Sequence, residues 1–264
     1  MKGDFVSEIK TALSGVSAGA EIFVYDSVGS TNDEARKYAA LGSGKNAFFI
    51  AREQTSGRGR RGRAFVSREG GLYISYLLHP TLPTRDAIML TVFSAVALEK
   101  TVRELSGAEP KIKWVNDLFL GGKKLAGILA EGEFCEDGSG FEYAVVGIGI
   151  NLHGKSVPEE LSGIATTLEI ETGARVDIAE FAGKLAERLA SFEESQISEY
   201  MHEYRSRSLV IGKRVGIVSS GESFSATVLG IEDDGAIRVM LEEGEEKIFY
   251  SAEIGLILDK DTKM

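Results

Sequence analysis

The sequence is poor in the residues that build stapled, metal-held or membrane-bound proteins. One cysteine, Cys135, stands in 264 residues. It allows neither an internal disulfide nor a cysteine-based metal site, so a reducing, cytoplasmic setting is expected. The three histidines, His79, His153 and His202, are far apart and share no ligand spacing, which points to structural or surface roles. Apolar runs such as Tyr143–Ile150 fall far short of the roughly 20 residues a membrane span needs. The amino terminus carries Asp4, Glu8 and Lys10 where a signal peptide needs an apolar stretch. There are only four prolines and no low-complexity tract, while 43% of the residues are hydrophobic, enough for a packed core.

Positive charge is also short, with 30 basic against 40 acidic side chains and a net charge of −10. That balance argues against a protein that grips a long phosphate backbone. The deficit is local. Residues 1–168 hold 20 acids and 19 bases (−1), and residues 169–264 hold 20 acids and 11 bases (−9). A concentrated positive site can therefore sit in the first two thirds of the chain.

What is present reads as an α+β chain. Phe5, Ile9, Ala12 and Leu13 recur at helical spacing and predict a short amphipathic helix. Residues 21–26 and 46–51 read as strands. Between them Thr31 and Glu34 have capping-box spacing, predicting a helix that runs to about Leu41. GLYISYLL (71–78) is strand-like. A helix is expected from Thr84 to about Leu105, with Gly107 just past its end. Strands follow at 111–120, 123–133 and 141–150, then one helix from Asp177 to about Tyr204. After Ser208, short apolar runs alternate with turns such as Ser219-Ser220-Gly221 and Asp233-Asp234-Gly235, the pattern of a small all-β barrel. The expected architecture is a mixed β-sheet flanked by helices, with a carboxy-terminal β module.

Two segments carry chemistry. The first is Gly57-Arg-Gly-Arg-Arg-Gly-Arg63, with four arginines and three glycines in seven residues, preceded by Gln54. Its glycines match G-x-G-x-x-G, but a dinucleotide loop must open a helix, and here a strand follows. Such a loop can cradle an anion, because glycines let backbone N–H groups turn inward and guanidinium groups grip phosphate or carboxylate in pairs. The plain alternative is a solvated basic loop, which could serve to bind RNA.

The second segment is KIKWVNDLFLGGKKLAGILAE (111–131). Gly121-Gly122 between two apolar runs is a hairpin signal that places Lys124 opposite Phe119. Ile112, Trp114, Leu118, Leu120, Leu125 and Leu129 then share the core face, and Lys113, Asp117 and Lys124 share the other. Asp117 and Lys124 become diagonal neighbours within reach of an ion pair. Strict alternation sends Asn116 inward, and a bulge would bring it to the site.

Five pieces, in order, resemble the biotin protein ligases, or biotin–[acetyl-CoA-carboxylase] ligases. They are Ser30-Thr31-Asn32, Gln54 with Gly57–Arg63, Lys113-Trp114-Val115-Asn116-Asp117, Lys124-Leu-Ala-Gly127-Ile128, and Gly147-Ile-Gly-Ile-Asn151. The resemblance implies a class II aminoacyl-tRNA synthetase-like catalytic fold over 1–207 and an SH3-like β-barrel over 208–264. It implies condensation of biotin with ATP to biotinyl-5′-AMP and pyrophosphate, then transfer of biotin to a lysine of a biotin carboxyl carrier protein or domain. Mg²⁺ is implied through the ATP phosphates, with no firm protein metal ligands, and a homodimer is implied.

By the same resemblance, biotin would lie against Ser30, Thr31, Asn32, Gln54, Gly57, Arg58, Gly59, Arg60 and Gly127, with Tyr73 closing one side and Lys124 at its carboxylate. ATP or the adenylate would meet Arg58, Arg60, Arg63, Phe65, Lys113, Asn116, Lys124 and Asn151. Lys124, Arg60, Lys113 and Asp117 are the expected catalytic set. Val115 stands where the family usually has Pro, and Phe65 where Trp is common. About 20 residues precede the first strand, too few for the winged-helix domain of the family's repressors, so no nucleic-acid binding is expected. A lipoate–protein ligase is the neighbouring enzyme reading, and an RNA-binding protein using the arginine–glycine loop is the reading from another class.

Overall fold

The computed structural model describes residues 4–16, 19–80, 82–138, 140–192, 196–219 and 221–257. A seven-stranded mixed sheet forms its centre. In chain order the strands are β1 (Glu21–Val28), β2 (Ala47–Gln54), β3 (Gly71–Leu78), β4 (Lys111–Lys113), β5 (Asp117–Leu120), β6 (Lys123–Phe134) and β7 (Phe141–Asn151). Their spatial order is β1-β2-β3-β7-β6-β5-β4. Only β1 and β2 run parallel, joined by the crossover helix α2 (Thr31–Ala39); every other neighbouring pair is antiparallel.

Both faces are covered, which explains the unbroken apolar run of β3: all eight of its residues are buried. Ala47, Phe49, Leu77 and Val145 face α2 through Ala35. Phe48, Ile50, Leu72 and Ile74 belong to the larger core on the opposite side, which α1 (Phe5–Ala12), α3 (Ile88–Ser106) and α5 (Ile178–Ala190) close. Gly107 ends α3 at φ 70°, in the left-handed conformation that glycine adopts without strain. Beyond the short α4 (Leu168–Thr172) and α6 (Ile197–Ser206) lies a five-stranded antiparallel sheet: β8 (Arg214–Ser219), β9 (Glu222–Ile231), β10 (Ile237–Leu241), β11 (Glu246–Phe249) and β12 (Glu253–Leu256).

This second sheet is tied to the first. Trp114 Nε1 donates to the Gly235 carbonyl at 2.9 Å, and Arg205 Nε donates to the Ile231 carbonyl at 2.6 Å. Gly235 sits so close to α3 that a Cβ there would lie 2.8 Å from the Ile88 side chain.

Three expectations from the sequence need correction. The strand at 111–120 is two strands, β4 and β5, which fold back on each other so that Lys113 pairs with Asp117; Trp114–Asn116 make the turn. The helix at 177–204 is two helices, α5 and α6, although its apolar period runs through the break; residues 193–195 of that stretch lie outside the described residues, as do Ser220 and Leu258 of the predicted β module. Thr31 is not a cap: Ser30 is the N-cap of α2, with no side-chain capping bond, and Thr31 is the first helical residue. The helix ends at Ala39 rather than near Leu41.

Candidate active site

The carboxyl end of β2, the amino end of α2 and the β4–β5–β6 ribbon converge on a cavity of about 230 Å³. At one end is a network of neutral polar groups. The Thr31 backbone N–H donates to Gln54 Oε1 at 2.8 Å, and Thr31 Oγ1 lies 3.1 Å from the same oxygen. Gln54 Nε2 donates to Ser67 Oγ at 2.9 Å. Ser75, fully buried on β3, lies 2.7 Å from Thr31 Oγ1 and donates to Asn32 Oδ1 at 2.6 Å. Ser30, Thr31, Asn32 and Gln54 all line the cavity.

At the other end the charge is positive. The two-residue turn at Gly121 and Gly122 uses φ of 57° and 78°, the left-handed pair that a tight hairpin demands. Phe119 pairs with Lys124 as the turn predicts, and a bulge at Leu118/Phe119 then shifts the register so that Asp117 pairs with Gly127. The shift leaves Lys124 Nζ 2.8 Å from Asp117 Oδ1. Lys113 stands across from Asp117 on β4. Burial pushes its ammonium below the usual lysine range, against a smaller upward pull from Asp117. Arg60 is lowered as well, first by burial and then by the neighbouring Arg61 charge. These are cations held where water solvates them poorly, a state that an incoming anion relieves.

The arginine–glycine loop closes the cavity. Arg61 adopts φ 57°, uncommon for a residue with a Cβ. Its guanidinium pairs with Glu253 at 3.2 Å, and Arg63 pairs with the same carboxylate. Arg60 Nη2 donates to Ser251 Oγ at 3.2 Å, and its Nη1 donates to Asn116 Oδ1 at 3.4 Å. Asn116 Nδ2 donates in turn to the Ile128 carbonyl at 2.9 Å. Ala252, Glu253 and Ile254, from the second sheet, thus join the lining. Phe65 lies over the sheet where Gly127 and Gly149 leave it room: a Cβ on Gly149 would lie 2.5 Å from the Phe65 ring.

The structure brings together most of the residues named from sequence: Ser30, Thr31, Asn32, Gln54, Arg58, Gly59, Arg60, Arg63, Phe65, Lys113, Asn116, Asp117, Lys124 and Gly127 all line the cavity. Asn116 reaches it because the chain turns at 114–116. Three do not. Tyr73 is 1% exposed and donates its hydroxyl to the Arg68 carbonyl at 2.6 Å; Phe65, edge-on to its ring, takes the lining position. Gly57 shapes the loop instead, since a Cβ there would lie 2.4 Å from the Phe65 carbonyl oxygen and from Ser67 Oγ. Asn151 ends β7 opposite Gly71 and is buried outside the cavity. Sequence reading missed Ser75, Glu131 and Glu253. Glu253 belongs to an acid-rich stretch with no motif of its own.

Residues 26–151 match the model of the biotin/lipoate A/B protein ligase family, and residues 210–256 match the biotin protein ligase C-terminal domain. A biotin–[acetyl-CoA-carboxylase] ligase of Paracoccus denitrificans is 35% identical over 230 residues, 83% of this chain and 94% of that protein. A bifunctional ligase/repressor of Bacillus subtilis is 33% identical over 95% of this chain and 78% of its own length. The biotin protein ligase of Aquifex aeolicus, solved in complex with biotin and ATP, superposes with a TM-score of 0.72 at 27% identity, covering 90% of this chain and 99% of that one. Fold, cavity and sequence agree: the chain belongs to the biotin protein ligase family.

Proposed function

We infer that this protein activates biotin with ATP and transfers the biotinyl group to a lysine of a carrier protein. The observation that carries the reading is one cavity with two unlike ends, a hydroxyl–amide network at Thr31, Asn32 and Gln54 beside Ser30 and a cationic cluster at Arg60, Lys113 and Lys124. A ureido ring needs paired donors and acceptors; a carboxylate meeting a triphosphate needs fixed positive charge.

In the first step a biotin carboxylate oxygen attacks the α-phosphorus, a P–O bond forms, and pyrophosphate leaves. Two anions must approach, and charge builds on the phosphoryl oxygens. Lys124, Arg60 and Lys113 are the groups we assign to offset that repulsion, with Arg63 and Asn116 along the nucleotide and Phe65 against it. In the second step the acceptor amine attacks the biotinyl carbonyl, and AMP departs with the bonding electrons. That amine must shed a proton. Asp117 and Glu253 are the carboxylates lining the cavity, and Glu253 is committed to Arg61 and Arg63. Asp117 is assigned the proton, because an anionic adenylate draws Lys124 away from it.

Among the described residues no group of three or more His, Cys, Asp or Glu side chains is placed to hold a metal ion. The cavity's donors suit anions, so Mg²⁺ is proposed to enter on the ATP phosphates rather than in a protein cage. A carrier domain is the proposed partner, and the active form is proposed to be a homodimer without affinity for nucleic acid, which sedimentation with and without DNA checks. No described helix is long and apolar enough to cross a membrane.

The test mixes protein, ATP, Mg²⁺ and biotin with and without a carrier domain, and repeats it with lipoate. Biotin-dependent pyrophosphate release and carrier labelling are expected. The absence of both sinks the reading, and equal use of lipoate moves it to the neighbouring chemistry.

A further inference from the structure

Beneath the loop, outside the cavity lining, one carboxylate joins two parts of the site. Glu131 Oε2 on β6 accepts from Asn32 Nδ2 at 2.9 Å and from Arg58 Nη2 at 3.1 Å. The same Arg58 nitrogen lies 2.7 Å from Asp33 Oδ1. Arg58, near the start of the arginine–glycine loop, thus has its guanidinium bound between two acids. Its Nε is buried and carries no hydrogen bond, so these acids are its anchorage.

The second consequence concerns Asn32. Its amide nitrogen faces two groups that can only accept, Glu131 Oε2 and the Leu129 carbonyl at 3.4 Å. The amide oxygen must then point the other way, where it accepts from Ser75. That oxygen sits above Gly147, where a Cβ would lie 2.0 Å from it. An acceptor held at this place suits a ligand with N–H donors, which a ureido ring has and a dithiolane ring lacks.

We propose that Glu131 is a positioning residue that couples closure of the arginine–glycine loop, through Arg58, to the orientation of the Asn32 amide in the pocket. The proposal deepens the biotin ligase reading and rests on it for the ligand's identity. Loss of the negative charge loosens both ends together, leaving Arg58 held by Asp33 alone. The loop opens more often, and Asn32 no longer holds one orientation.

The test compares the full-length protein with Glu131→Gln, Arg58→Gln and the double variant. In Glu131→Gln the KM for biotin is expected to rise about tenfold, the loss of one net hydrogen bond, with kcat for pyrophosphate release changing less than KM. Trypsin, added without any substrate, is expected to cut between residues 58 and 63 several-fold faster than in the unsubstituted protein. The double variant is expected to be cut no faster than Arg58→Gln alone, which offers trypsin the same sites, because Glu131 acts on the loop through Arg58. Wild-type values for both KM and cleavage overturn the proposal. So does a lowered melting temperature with neither value moved, and so does additivity in the double variant. If the unsubstituted protein releases no biotin-dependent pyrophosphate, the functional reading fails, and the trypsin comparison still decides whether the latch exists.

Discussion

Lys124 Nζ and Asp117 Oδ1 face each other at 2.8 Å across a bulged hairpin. The pair holds a cation ready at the rim of a cavity that awaits an anion. Replacing Lys124 by alanine removes one fixed transition-state donor and leaves the strand register, which backbone bonds hold. Lys124→Ala should slow pyrophosphate release by about 10²–10³-fold with little loss of melting temperature. A near-normal rate would move the chemistry elsewhere.

Arg60 reaches both the second sheet, at Ser251, and the turn residue Asn116. It therefore spans the mouth of the cavity. A mixed anhydride hydrolyses readily and acylates any amine, so a loop that stays shut protects it. Arg60→Ala should let adenylate escape, seen as biotin on bystander lysines of an added inert protein. Labelling no greater than that of the unsubstituted enzyme would remove the lid role.

The Lys124–Asp117 pair was readable from sequence because Gly121-Gly122 sets the register and alternation does the rest. The arginine–glycine string announced itself by composition. The break at Trp114–Asn116 was not readable as a turn, since no Gly or Pro marks it and the polar Asn116 at an inward position fits a bulge equally well. Nor was the gap between α5 and α6, because Phe181, Leu185, Leu189 and Phe192 recur at helical intervals and Tyr200 and Tyr204 resume the same face beyond the break. Glu131 and Glu253 escaped for a different reason. Their arginine partners lie 73 and 190 residues away, and a single carboxylate far from its partner leaves no local pattern. Tyr73 misled because its aromatic type suited a pocket wall while its strand neighbours buried it.

Lys113 gives a prediction in which function and stability pull apart. Burial lowers its pKa from the ordinary 10.5, so the folded protein releases this proton at lower pH than the unfolded chain does. Between the two values the unfolded state binds more protons, and stability rises with pH; below both, the buried charge is a constant cost. Lys113→Met removes that cost. At pH 7 the variant should melt higher than the parent and release pyrophosphate more slowly, the trade expected of a strained site. A lower melting temperature would show that the ammonium stabilises the fold.

The Glu253 clasp should respond to acid in the opposite sense. Hydrogen bonding and charge from Arg63, with Arg61 adding to them, hold the Glu253 carboxyl below its ordinary 4.5. A carboxyl lowered in the folded state contributes stability that is fully present above the unfolded value and fades as pH falls through the folded one. The pair is exposed, so its effect on global stability is small and salt-sensitive. Its local effect is large, because Arg61 sits in a left-handed conformation with this carboxylate as its ion-pair partner. Loop opening, followed by hydrogen exchange at residues 58–63, should stay slow from pH 7 to 5 after correction for the intrinsic exchange rate. It should quicken below the ordinary carboxylate range. Glu253→Gln should exchange fast at every pH and raise bystander labelling at pH 7. Equal protection in that variant would mean that the second sheet lines the cavity without closing it.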